Sequence, residues 1–266
     1  MSRSNPSEHT ANPATRWFEW NGETGTVRYY DRDAKKNIDC GVDFGFVLLD
    51  ELASVRGWHD ASTSGIYSNE VRDTRDGLLI VKAFKGGTLA EGLYRDIKDR
   101  VNAAGGQFVA NCYIGFKLGT DLVMGSLRFK GAALGAWMEF RKAHRGELYS
   151  KSVRIVGVTE GKKGRITFKT PVFRVVELTP ETHEAAILLD RQLQDYLNGY
   201  LSQTKRDQAD TVARHVTDQE VGNSDAGYEY DDADAPSPIT VDDIPFAWLL
   251  PLVLPAFGLM GGVMWA

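Results

Sequence analysis

The chain has 266 residues, 42% of them hydrophobic and 25% charged, enough to bury one sizeable core with tails outside it. Its net charge of −5 conceals an asymmetry. Of the 31 Lys and Arg residues 30 lie at or before Arg206, with 25 of the 36 Asp and Glu residues, so the body carries about five net positive charges and residues 207–266 about ten negative ones. The two cysteines, Cys40 and Cys112, lack the neighbouring Cys or His residues of a zinc site and are too few for a disulfide scaffold, so they are read as reduced thiols of a cytoplasmic core.

Residues 1–13 are polar, without the apolar run of a secretory signal, and read as a disordered arm. One folded domain is expected over 14–206. Up to residue 178 the pattern is short apolar or alternating runs at 26–30, 44–55, 78–83, 108–118, 122–129, 152–159 and 165–178, broken by Gly, Asn and Asp. Asn21-Gly22, Gly86-Gly87 and Gly119-Thr120-Asp121 signal turns, and 160–164 signals a hairpin loop. Helical spacing interrupts the strands at 93–104, through Leu93, Ile97 and Val101, and at 132–142. The fold class is therefore mainly β with helices, compatible with a partly open barrel.

After Leu178, Thr179-Pro180-Glu181-Thr182 supplies an N-cap, a proline at the first helical position and an early acid, and a closing helix follows at about 181–201. Residues 207–246 are rich in Asp, Glu, Ser, Gly and Pro and read as a disordered acidic tail. Residues 247–266 are uncharged and just long enough to span a bilayer, but Pro251, Pro255 and three glycines disfavour a helix and no Lys or Arg flanks the segment. A membrane anchor, a tail that folds back on the body or on a partner, and a segment without a dedicated role are the readings left open.

The body interleaves aromatic and basic residues, the combination that stacks on unpaired bases while neutralising phosphates. Arg16, Trp17, Trp20, Arg28 and Tyr30 form the densest stretch; strand alternation puts Phe18 and Trp20 on one face and Trp17 on the other, so at least one ring belongs to the core. Ser54, Arg56 and Trp58 share a face where a long apolar strand turns polar. Tyr67, Arg72 and Arg75 lie in a turn-rich stretch, with local pairing to Glu70, Asp73 or Asp76 as the alternative for the arginines. Lys82, Tyr113 with Lys117, and Arg128 with Lys130 complete the candidate groove; Lys162 and Lys163, at a hairpin tip, read as solvated.

Catalytic patterns are missing from the sequence: no phosphate-binding GxxxxGK[ST], no HExxH, no GxSxG, and five histidines without metal spacing. The acid pairs Asp31/Asp33 and Asp231/Asp232 are weak candidates for Mg²⁺. A binding protein without cofactor or covalent chemistry is expected, not an enzyme.

Asp242-Asp243-Ile244-Pro245-Phe246 resembles the acidic tip of bacterial single-stranded-DNA-binding proteins and of several phage counterparts, and the order of β-rich body, acidic linker and tip is similar to theirs. More loosely, residues 16–20, 69–74 and 131–137 resemble phage DNA-binding proteins. The resemblance implies an OB-type barrel that coats single-stranded DNA without sequence preference in replication, recombination or repair. It also implies a tip, Asp242 to Phe246, that docks on replication and recombination proteins. Aspartates steer such a tip to basic pockets, and Ile244 and Phe246 anchor it with Pro245 limiting the entropy lost. One departure stands out: in the family the Phe ends the chain and its carboxylate takes part, whereas twenty residues follow Phe246 here. Self-association is left open. The alternative reading is a membrane-tethered or phage structural protein that uses its apolar segment.

Overall fold

The alternating runs form eleven strands of one sheet among the described residues: β1 (Arg16–Asn21), β2 (Thr26–Asp31), β3 (Lys36–Asp39), β4 (Phe44–His59), β5 (Ser64–Ser68), β6 (Leu79–Ala83), β7 (Gly87–Gly92), β8 (Gly106–Leu118), β9 (Asp121–Lys130), β10 (Ser152–Lys163) and β11 (Ile166–Val176). Three helices accompany them: α1 (Tyr94–Ala103), α2 (Gly131–Ala143) and α3 (Pro180–Gln219). The structure, a computed structural model, describes residues 11–219. The Asp242–Phe246 tip and the apolar segment 247–266 therefore lie outside the described residues, as do most of the N-terminal arm and of the acidic tail.

The strand order is β3-β2-β1-β9-β8-β4-β5-β6-β7, with the β10–β11 hairpin branching from the first residues of β4. The sheet is open, with β3 and β7 at the ends of this path. Neighbours are antiparallel except β1 and β9, which run parallel from Arg16↔Gly125 to Glu19↔Arg128. β4 is the spine: it pairs with β8 from Val47↔Gly115 to Gly57↔Gly106, while its other edge takes β10 at one end and β5 at the other.

Because side chains alternate across a sheet, these registers define two faces. One carries Phe18, Cys112, Ile114, Leu127 and Phe129, and α2 covers it with the fully buried Trp137, whose indole stacks on Phe129 at 5.3 Å. Further along the same face α1 buries Tyr94, Ile97 and Val101 against Val55, Ile66 and Val81. The opposite face carries Leu52, Tyr113 and Met124, and α3 covers them with Ala186, Leu193 and Leu197. Both faces are covered at the middle of β8, which is why its central residues are buried without alternation.

Local signals explain where these elements begin and end. Thr179 caps α3 as expected, its Oγ1 accepting the Thr182 N–H at 3.3 Å. The helix starts at Pro180 but runs on to Gln219, into the stretch that composition assigns to the acidic tail. Ala209 and Ala213 are strong helix formers there, and extending a formed helix is far cheaper than nucleating one. The loop expected at 160–164 shrinks to a two-residue turn, since Lys163 pairs with Ile166 and Gly164 takes the left-handed conformation at φ 59°. The short strands β3, β5 and β7 carry too few apolar residues to show in the pattern.

Asn12, inside the segment read as a disordered arm, is tied to the body: its Nδ2 donates to the Tyr113 hydroxyl at 3.0 Å. Cys112 is buried in the core and Cys40 is half-buried beside it. Among the described residues, no helix is long and apolar enough to cross a membrane, and no group of three His, Cys, Asp or Glu residues is placed to hold a metal ion. The Asp31 carboxylate instead closes its own turn, accepting the N–H groups of Asp33 and Ala34.

Candidate nucleic-acid interface

Away from the part of the sheet that Leu193 and Leu197 of α3 cover, the cross-strand registers place a block of aromatic and basic side chains on the same face. Arg56 of β4 lies opposite Tyr67 of β5, and Tyr67 opposite Lys82 of β6. One step along, Trp58 lies opposite Gly65, and the Gly65 carbonyl accepts the Phe84 N–H at 3.0 Å. Arg56, Tyr67 and Lys82 thus form one row, and Trp58, Gly65 and Phe84 the next. Trp58 is 54% exposed, Tyr67 37% and Phe84 81%, and the Tyr67 and Phe84 rings meet edge-on at 6.4 Å. Large rings left this open on a well-formed sheet contribute little to the core and offer flat faces to a planar ligand.

Next to this block a cleft of about 480 Å³ is lined by Glu19, Trp20, Arg56, Gly57, Trp58, Ile66, Gly105, Gln107, Val109, Arg128 and Lys130. Four strands position its charged wall: Glu19 of β1 lies opposite Arg128 of β9, Lys130 opposite Val109 of β8, and Gln107 of β8 opposite Arg56 of β4. Two glycines let the turn before β8 press against β4 at this point. A Cβ on Gly57 would stand 2.1 Å from the Gly105 carbonyl oxygen, and Gly105 has φ 89° with its own Cβ position 2.2 Å from the Trp58 carbonyl oxygen. Only glycine fits at either position.

The electrostatics of the cleft are uneven. Glu19 is engaged by Arg28, whose Nε donates to Glu19 Oε1 at 2.8 Å. Among the described residues Arg56 and Arg128 form no ion pair, and the Nε atom of each is buried without a hydrogen-bond partner. Beneath them lies Glu70, whose carboxylate accepts Asn111 Nδ2 at 2.9 Å and the Tyr113 hydroxyl at 2.8 Å, while Asn111 Nδ2 also reaches Ser54 Oγ at 2.7 Å. Burial pushes the Glu70 carboxyl above its ordinary value, against the Tyr113 hydrogen bond and the attraction of Arg56 and Arg128. Burial lowers the affinity of Arg128 for its proton, and repulsion from Arg56 adds to that. The site therefore holds two close guanidinium groups whose charge is only partly compensated.

The candidates read from the sequence divide cleanly. Arg56, Trp58, Arg128 and Lys130 meet in the cleft, and Tyr67 and Lys82 join the adjoining block. Trp17 and Tyr30 are exposed on the same face, towards its β2 edge, with the Arg32 guanidinium 5.8 Å from the Trp17 ring. Trp20 touches the cleft but is a core residue, its Nε1 donating to the Lys169 carbonyl at 2.8 Å. Arg28 is held by Glu19.

Five residues lie elsewhere. Arg16 is on the opposite face, its guanidinium 4.6 Å from the Tyr29 ring and 5.8 Å from that of Phe116. Tyr113 is 1% exposed under α3, not a groove wall, because the helix covers that stretch of β8. Arg72 braces α3 by donating to Asp50 at 2.7 Å and to Gln194 at 2.9 Å. Arg75 closes its own turn on Asp73. Lys117 sits at the far end of β8 from the cleft, against the Thr120 carbonyl. Phe84 escaped the sequence reading; the available signal was an aromatic residue in Phe84-Lys85-Gly86-Gly87, where a turn cannot bury it. No protein-family model, curated protein or solved structure matches the chain.

Proposed function

We propose that the protein binds single-stranded DNA with little sequence preference through this open sheet face. The observation that carries the reading is the register that puts Trp58, Tyr67 and Phe84 on one surface with Arg56 and Lys82, beside a cleft with Arg128 and Lys130. Rings stack on any base, and the cations neutralise the backbone between bases. A double helix hides its bases from such rings, so the surface suits unpaired strands. In this reading the open sheet serves as a partly open, OB-type barrel, and the protein does no covalent chemistry. It coats unpaired DNA of a phage or its bacterial host during replication, recombination or repair. The acidic tail competes with DNA for the basic face, and the Asp242–Phe246 tip recruits partner proteins.

The test is a fluorescence-anisotropy titration of labelled oligo-dT at several salt concentrations, with duplex of equal length as competitor. Tight binding that duplex fails to displace, with log K falling against log salt at roughly −0.7 per phosphate contact, supports the proposal. Binding that ignores ionic strength, or that duplex displaces freely, overturns it.

A further inference from the structure

Four buried side-chain polar atoms among the described residues lack a hydrogen-bond partner, and three of them cluster at one place: Arg56 Nε, Arg128 Nε and, beneath them, Asn111 Oδ1. Native proteins satisfy nearly all such groups, so two unsatisfied guanidinium donors in one cleft require a reason. Packing does not supply it. Burying guanidinium N–H groups without an acceptor costs free energy, and these two cations also repel one another. Glu70 lends its field but gives its hydrogen bonds to Asn111 and Tyr113, and Glu19 is engaged by Arg28.

We infer that the cleft between Arg56 and Arg128 is a discrete phosphate-binding site, in which one phosphoryl group of the bound strand is held by both guanidinium groups with Lys130 at the rim. This rests on the single-strand reading and adds to it. The remaining contacts of a sequence-tolerant surface are diffuse, whereas this one is built from donors fixed by the sheet. The planar fork of arginine matches the oxygens of a phosphate, which accepts several N–H groups at once and relieves the repulsion between the two cations. The exposed Trp58 face beside it takes the base that the phosphate carries. The phosphoryl group has two sources, an internal phosphodiester or the terminal phosphate of a strand.

The experiment compares the native protein with Arg128→Met, Arg128→Lys and Arg56→Met, titrating 3′-labelled oligo-dT with and without a 5′-phosphate at several salt concentrations. A second titration uses thymidine monophosphate against thymidine, followed by calorimetry. The inference expects each Met variant to lose at least tenfold in affinity and Arg128→Lys to recover little of it, since the charge returns without the fork. Equal losses on both oligonucleotides assign an internal phosphate, and a larger loss on the 5′-phosphorylated one assigns the strand end. Full recovery by Arg128→Lys, or Met variants that bind like the native protein, overturns the site and leaves single-strand binding standing. Should the native protein ignore oligo-dT yet bind thymidine monophosphate through Arg128, the phosphate site stands and the single-strand reading falls. If Arg128→Met does not fold, Arg56→Met on the facing wall gives the same readout.

Discussion

Asp50 and Glu51 are consecutive residues of β4 whose carboxylates hold helices on opposite faces of the sheet. Asp50 accepts Arg72 Nη1 at 2.7 Å and Gln194 Nε2 at 3.2 Å, fixing α3; Glu51 accepts Trp137 Nε1 at 2.8 Å and the Arg141 guanidinium, fixing α2. Removing the Glu51 carboxylate leaves a fully buried indole N–H without its acceptor. Glu51→Ala is expected to cost about 1–3 kcal/mol, read from urea unfolding. Asp50→Ala is expected to act mainly on α3, lowering amide protection around 186–197 more than in β8. Uniform loss of protection in Asp50→Ala would show that the clamp is not local.

The same glutamate sets a pH dependence. Burial raises the Glu51 carboxyl above its ordinary value of 4.5, outweighing the attraction of Arg141 and the Trp137 hydrogen bond. A raised value in the folded state means that its stabilising contribution is complete below that ordinary value and is lost as pH rises through the folded value. Glu51→Gln lacks this term. The stability difference between native protein and variant should therefore be largest at acid pH and shrink as pH increases, measured by unfolding at matched ionic strength. A gap that widens with pH would contradict this assignment.

Core and interface residues separate by mutation. Tyr113 is buried and its hydroxyl links Asn12 to Glu70, so Tyr113→Phe should cost about 1 kcal/mol of stability and leave oligo-dT affinity unchanged. Trp58→Ala and Phe84→Ala should do the reverse, each weakening oligo-dT by about 1–3 kcal/mol with little effect on unfolding. Loss of affinity in Tyr113→Phe without loss of stability would move the interface under α3.

The glycine contact behind the cleft is equally specific. A methyl on Gly57 meets the Gly105 carbonyl at 2.1 Å, so Gly57→Ala should destabilise by at least about 2 kcal/mol and weaken nucleic-acid binding by displacing Arg56 and Trp58. Gly87, at φ 72° with open space around it, gives the comparison: Gly87→Ala should cost only the backbone strain, about 1–2 kcal/mol, without touching binding. Equal binding losses in both would attribute the effect to stability alone.

By itself the sequence determined whatever depends on near neighbours. Alternation puts Phe18 and Trp20 on one face and Trp17 on the other, Thr179-Pro180 starts α3, Gly119-Thr120 turns β8 into β9, and Arg56 and Trp58 share a face; each is a property of a few consecutive residues and of backbone sterics. The tertiary structure decided which candidates meet. Arg128 stands beside Arg56 only because β9 and β4 flank β8, and Phe84 joins Trp58 only through the β5 register. Tyr113 is lost to the core because α3, some 70 residues later in the chain, lies across it, and Arg72 is taken by the same helix. Local periodicity tells a strand's two faces apart but carries no information about which distant segment covers each. That choice is made by the summed burial of the whole chain.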